Sequence, residues 1–238
     1  MSQQLSIEKM LKRKSADVRA GEHFQSSKRQ QKTTLDNNGK ANNTITSSTT
    51  GHISPPAMSD AKPEQRLLCL QEVIGDLFSA PDNTVLIHAC NCKGHWGAGI
   101  AAAFAKLYPN AYRIHNSYCV KTGQKSLPGT AQLVSPLDTT ENGRKHFVGC
   151  LFTSRNFGRN SDSPAIILQN TNTAMRDLVK QVADWNERHD EKITQLWMCK
   201  INSERFKTPW TKTKEVLQRI EIPDDGHLSP TITVTIRE

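Results

Sequence analysis

Apolar positions fall into two regimes along the chain. Residues 1–63 are rich in Ser, Thr, Gln, Asn and Lys and show no apolar period. Such a segment buries too little apolar surface to offset its ordering entropy, so a disordered tail is predicted, with at most a short helix over 2–19. From residue 66 the pattern changes. A strand is predicted over 66–73, followed by a turn at Gly75-Asp76-Leu77. Residues 84–90 form a nearly continuous apolar run, as expected of a strand covered on both faces. A Gly-rich loop at 94–99 leads into an Ala-rich helix over 100–108, stopped by Pro109, and a second helix over 110–120. Strands follow at 130–135 and 147–152. Ile167, Thr171, Ala174, Leu178, Val182 and Trp185 mark one face of a helix over 166–189. A strand at 194–199, a helix at 210–220 and a strand at 232–236 complete the pattern. No internal repeat is visible. Strands alternating with helices predict an α/β domain over 64–238, three layers deep (α/β/α), around a mostly parallel mixed sheet.

The charge distribution narrows the function. The chain carries a formal net charge of +8, yet residues 1–63 hold ten Lys/Arg against five Asp/Glu, and the remainder 21 against 18. Most of the excess therefore sits on the tail, and nucleic-acid binding by the folded domain is not expected. Lys12-Arg13-Lys14 and Lys28-Arg29 fit a nuclear-import signal or simply a solvated basic tail. Of the six cysteines, Cys69, Cys90, Cys92, Cys119, Cys150 and Cys199, several lie in apolar strand-like runs where a reduced thiol behaves as a small hydrophobe. Neither their spacing nor any paired-Asp motif suggests a metal, and no cofactor is expected. The first ten residues lack an apolar signal core, and no run approaches the roughly 18 residues of a membrane span. A cytoplasmic or nuclear monomer without a membrane role is the expectation.

In a doubly wound sheet the ligand sits beyond the carboxyl ends of the strands. Three segments of interest leave such ends: Gly75-Asp76-Leu77, residues 89–101, and residues 199–210. The second is the most informative. Ala89, Cys90 and Asn91 end a buried strand, and Trp96, Gly97, Ala98, Gly99, Ile100 and Ala101 lead through glycines into a helix. Glycines admit close backbone approach, and free N–H groups beside a helix start form an anion cradle. The loop lacks the Gly-Lys-Ser/Thr of a Walker motif, and Gly97-Ala98-Gly99 is followed by Ala102 rather than a third glycine. A strand-to-helix connection that needs glycine only for packing remains the plain alternative. Trp96 either walls the site or anchors its loop.

The sequence Asn91-Cys92-Lys93-Gly94-His95-Trp96-Gly97-Ala98-Gly99-Ile100-Ala101 resembles macrodomains, most closely the fungal ADP-ribose 1''-phosphate phosphatase family. Val73-Ile74-Gly75-Asp76-Leu77, Leu151-Phe152-Thr153-Ser154, Ile201-Asn202-Ser203 and Pro209-Trp210 resemble further family elements in the same order. The resemblance covers about 66–238. It implies a phosphatase acting on ADP-ribose 1''-phosphate, a by-product of tRNA splicing in that family. Removal of ADP-ribose from proteins is the second reading it admits, and non-enzymatic ADP-ribose binding the third. By resemblance, Asp76 accepts from the adenine amino group; locally, it also fits a turn cap. Asn91 contacts the distal ribose, and Gly97, Ala98, Gly99 and Ile100 wrap the diphosphate. Asn202, Ser203, Glu204, Arg205 and Phe206 form the second phosphate loop, with Phe206 against the distal ribose, and Cys199, Lys200 and Ile201 before it are also binding candidates.

Glu204 departs from the family, which usually has Gly there, and Arg205 and Lys207 flank it. A carboxylate repels a diphosphate, and a side chain resists φ > 0. His88 and Asn91 are the catalytic candidates. His88 adjoins the cradle, and an imidazole can serve as acid or base near neutral pH, although a histidine within an apolar strand also reads as a satisfied core residue. Cys199 and Arg205 have the Cys-x5-Arg spacing of cysteine phosphatases, in which a thiolate attacks phosphorus. That loop, however, lacks the internal glycine of a tight cradle.

Overall fold

A computed structural model describes residues 66–236, apart from 141, 142, 144, 224 and 225. The predicted tail, including the helix over 2–19, lies outside the described residues. The described part is built on a six-stranded sheet of order β1-β6-β5-β2-β4-β3. Its strands are β1 (Cys69–Ile74), β2 (Thr84–Asn91), β3 (Ala131–Val134), β4 (Phe147–Ser154), β5 (Gln195–Cys199) and β6 (Thr231–Ile236). All neighbours pair in parallel except β3 and β4, which are antiparallel. The helices are α1 (Ile100–Leu107), α2 (Pro109–Thr122), α3 (Pro164–Arg188) and α4 (Trp210–Leu217). These are the elements predicted from the apolar pattern, and the architecture is the expected three-layer α/β/α arrangement.

The sheet separates two apolar cores, and strand alternation assigns each side chain to one. Val85 and Ile87 of β2 and Phe147 and Leu151 of β4 face Ala174, Met175, Leu178 and Val182 of α3. Leu86, Cys90, Val148, Cys150 and Phe152 face Phe104 of α1 and Ala111 and Cys119 of α2. All eight residues of β4 are buried, which explains why its sequence lacks a polar face. Gly149 lets α3 approach β4: an added Cβ would lie 2.9 Å from Val85 Cγ1 and 3.0 Å from Leu178 Cδ2.

Pro109 does more than end α1. It occupies the first turn of α2, where its missing N–H is no loss. The free amides of that turn are capped from a distance. The buried Asp138 carboxylate accepts from Asn110 N at 3.1 Å and from Ala111 N at 3.0 Å, an anion placed at the positive end of a helix. On the other face, Asp177 and Gln181 of α3 accept from Ala131 N and Leu133 N and so occupy the free edge of β3.

The site is positioned by a reversal of direction. The chain leaves β2 through α1 and α2 toward β3 and β4. It leaves β5 through α4 toward β6, on the opposite face. Because β2 and β5 are neighbours, their carboxyl ends open a crevice between diverging loops, as at the switch point of an open α/β sheet.

Candidate active site

A cleft of about 820 Å³ opens at that crevice, within the range of small-molecule and cofactor sites. Its walls come from the carboxyl ends of all five parallel strands. Gly75, Asp76 and Leu77 follow β1, and Thr235 and Ile236 end β6. Ala89, Cys90 and Asn91 end β2, Cys199 ends β5, and Phe157 and Gly158 follow β4. The first loop contributes His95 and residues 96–101, and the second residues 200–206. Every sequence-predicted binding residue therefore borders one cavity, while His88 does not.

The first loop has a pinned half and an open half. Asn91 Nδ2 donates to His95 O at 2.8 Å, and Asn91 Oδ1 accepts from Lys93 N at 3.0 Å. Both ends of the Asn91 amide thus shape the loop, which makes it first a positioning residue. Gly94 has φ +72°, and a Cβ there would lie 3.1 Å from Cys119 Cβ. Trp96 is 2% exposed and stacks on Tyr112 at 5.2 Å. It therefore anchors the loop in the core while bordering the cleft, and its indole N–H has no acceptor among the described residues. Beyond Trp96 the side chains of Gly97, Ala98 and Gly99 are minimal and exposed. Their N–H groups make no hydrogen bond among the described residues.

The second loop is held from beneath. Asn202 is buried with φ +65°. Its Oδ1 accepts from Thr153 Oγ1 at 3.0 Å, and its Nδ2 donates to Thr171 Oγ1 at 2.9 Å. Its carbonyl accepts from Thr208 N at 3.0 Å and closes the loop. Between these fixed points, the N–H groups of Ser203, Glu204, Arg205 and Phe206 make no hydrogen bond among the described residues. Two runs of unpaired amides thus border the same cavity, the arrangement that suits a polyanion.

Several expectations change on contact with the geometry. Glu204 does not occupy the left-handed region; Asn202 and Lys207 (φ +52°) do. The feared backbone conflict at Glu204 is absent, and only its charge remains. Lys200 borders the cleft, but its ammonium pairs with Glu72 at 3.1 Å. Asp76 caps the 3-10 turn Leu77–Ser79 through one oxygen, accepting from Phe78 N at 3.3 Å. Its second oxygen has no partner among the described residues, so capping and ligand binding are compatible.

His88 is corrected as an acid–base candidate. It is fully buried on the α1 side of β2, stacked on Phe104 at 4.3 Å and edge-on to Trp96 at 4.7 Å. A ring sealed between two aromatics cannot exchange a proton with a ligand across the strand. His88, Cys90 and Cys150 form a buried group with donor atoms within 4.8 Å of one another, although sequence spacing suggested no such grouping. Cys90 Sγ lies 3.6 Å from both ring nitrogens of His88. Burial pushes the Cys90 thiol far above its ordinary range, and burial likewise pushes Cys92 up to about 12. Without a bound cation these thiols are neutral packing groups.

The second loop also differs from a cysteine-phosphatase cradle. Ile201 N–H turns back to Cys199 O at 2.7 Å and is lost to any phosphate. His95, Ala103, Phe157, Gly158, Thr235 and Ile236 were not anticipated as lining residues. His95 and Phe157 pack edge to face at 5.9 Å, both exposed at the cleft. The ends of β4 and β6 lie outside the three segments singled out from the sequence, because no run of glycines marks them.

A three-layer fold with two amide-lined loops at its switch point defines the class. The Macro domain family model matches residues 87–217, and the chain belongs to the macro domain family. It is 46% identical over 153 residues to the ADP-ribose 1''-phosphate phosphatase of Chaetomium globosum, covering 63% of this chain and 83% of that protein. It is 40% identical over 179 residues to the protein of that name from Aspergillus clavatus, with 63% and 88% covered. Among solved structures it is similar to the macrodomain of Mycobacterium tuberculosis DarG, with TM-score 0.51, 18% identity and coverage of 70% and 97%. At that identity the likeness concerns the fold.

Proposed function

We propose that this protein holds the ADP-ribose portion of ADP-ribose 1''-phosphate in the cleft and hydrolyses its terminal phosphate ester. The observation that carries this reading is the pair of unpaired amide runs, 97–99 and 203–206, bordering one cavity. The similarity to fungal phosphatases of that name supplies the substrate class. Water adds to phosphorus, the bond to the sugar oxygen breaks, and that oxygen takes up a proton. Main-chain donors fixed before the reaction stabilise charge on the phosphoryl oxygens without reorganising. Asn91 and Asn202 keep those donors in place. Asp76 suits the adenine amino group, and Phe206 the distal ribose. Among the described residues His95 is the imidazole that borders the cleft, and we assign it the proton transfer. The protein acts as a monomer in the cytosol or nucleus. Cysteines set in apolar strand runs, such as Cys90 and Cys150, fit a reducing compartment.

The test measures phosphate released from ADP-ribose 1''-phosphate beside ADP-ribose released from a mono-ADP-ribosylated protein. Phosphate release is expected to dominate. Release of ADP-ribose alone would replace the phosphatase reading with protein de-modification. Tight ADP-ribose binding with neither product would leave a binding module.

A further inference from the structure

Arg205 links the two loops. An ideal Cβ on Gly99 would lie 3.5 Å from both Cγ and Nε of Arg205. The arginine stem therefore runs from the second loop across the glycine that caps α1. That separation is van der Waals distance, so the stem packs on the backbone at 99, where φ +58° favours glycine. Arg205 borders the cleft and is exposed. Its guanidinium has no hydrogen bond or ion pair among the described residues. The adjacent Glu204 carboxylate does not pair with it. A cation is thus placed beside the positive end of α1, on the loop that carries the second run of amides, with no carboxylate paired to it among the described residues.

We propose that Arg205 is a strap over the bound diphosphate. It joins the loops through its stem and binds non-bridging phosphate oxygens through its guanidinium fork. The assignment rests on ADP-ribose-type binding in this cleft and adds the residue that confers selectivity for the diphosphate. Lysine at this position keeps the charge but not the fork that fits two oxygens at once. Glutamine keeps most of the stem and loses the charge. The opposing charge of Glu204 is thereby offset by a neighbour on the same loop.

The experiment is calorimetric binding of ADP-ribose, ADP-ribose 1''-phosphate and adenosine to wild type, Arg205→Lys and Arg205→Gln, at two salt concentrations. Arg205→Gln is expected to weaken both diphosphate ligands by a similar factor, about 10- to 100-fold for a charge-assisted contact, and to flatten the salt dependence. Arg205→Lys falls between, and adenosine is unaffected. Unchanged ADP-ribose affinity in Arg205→Gln overturns the strap, and so does a loss confined to the 1''-phosphate. Wild-type binding and turnover are measured on the same preparations. Failure of the cleft reading then shows as absent wild-type binding or turnover, and failure of the strap as an insensitive variant.

Discussion

Replacing Asn202 with Ala removes the anchor of the second loop, and the cost follows from its contacts. The Nδ2 bond to Thr171 Oγ1, 2.9 Å long and buried, is worth about 1 kcal/mol. Thr171 keeps its own donation to Ile167 O, so nothing further is lost there. Thr153 is different: its hydroxyl is fully buried and donates to Asn202 Oδ1. An unmet buried donor costs about 1–3 kcal/mol. The backbone at 202 has φ +65°, which asparagine tolerates and alanine resists by about 1 kcal/mol. The sum is about 4 kcal/mol, or roughly 12 °C in melting temperature for a domain of this size. Asn202→Gly loses the same side-chain bonds without the backbone penalty and recovers about 1 kcal/mol. Both variants lose ADP-ribose affinity, because neither holds the amides of 203–206 in place. Thermal melts and titration calorimetry on the three proteins provide the test. An Ala variant melting within about 2 °C of wild type, under 1 kcal/mol on this scale, would refute the anchoring role. A Gly variant no more stable than Ala would refute the backbone part alone.

The indole N–H of Trp210 and the ammonium groups of Lys214 and Lys200 hold the Glu72 carboxyl at about 2, below its ordinary value of 4.5. With a depressed folded-state value, this stabilisation is complete above pH about 4.5 and fades as pH falls toward about 2; in melts from pH 6 to 3, Glu72→Gln removes that part of the acid sensitivity. Gly149→Ala places a methyl 2.9 Å from Val85 Cγ1 and 3.0 Å from Leu178 Cδ2, and urea denaturation is expected to show a loss of about 1–3 kcal/mol from overpacking. Glu204→Gln removes a carboxylate from the cleft border and should tighten ADP-ribose binding several-fold at low salt, with the gain shrinking as salt rises; calorimetry at two ionic strengths reads both. Cys199→Ser should retain most phosphate release, whereas a thiolate mechanism predicts its abolition.

Local patterns revealed the elements but not their partners. Continuous apolar runs marked β2 and β4 because both faces of each are covered. Nothing local places β3 antiparallel beside β4, or Asp138 at the start of α2, since such contacts join residues far apart in sequence. The Glu72 cluster is equally invisible, joining β1 to the second loop and α4. His88 was legible as an imidazole in a buried strand. Which core it enters depends on alternation against neighbours, and that places it with Phe104 and away from the cleft.

The second loop shows how a sequence departure can be read at the wrong residue. Glu204 drew attention because a side chain there threatened a backbone that glycine normally serves. The chain instead turns left-handed at Asn202 and Lys207. Asparagine is among the residues that tolerate that region, and Asn202 spends its amide on Thr153 and Thr171. Lys207 has no such side-chain bond among the described residues and carries a conformational cost of about 1 kcal/mol. That cost closes the loop between Asn202 and Thr208 and leaves four consecutive amides unpaired at the cleft. The loop therefore presents its outward amides without a glycine of its own, and Glu204 is expected to act on a bound anion through charge alone.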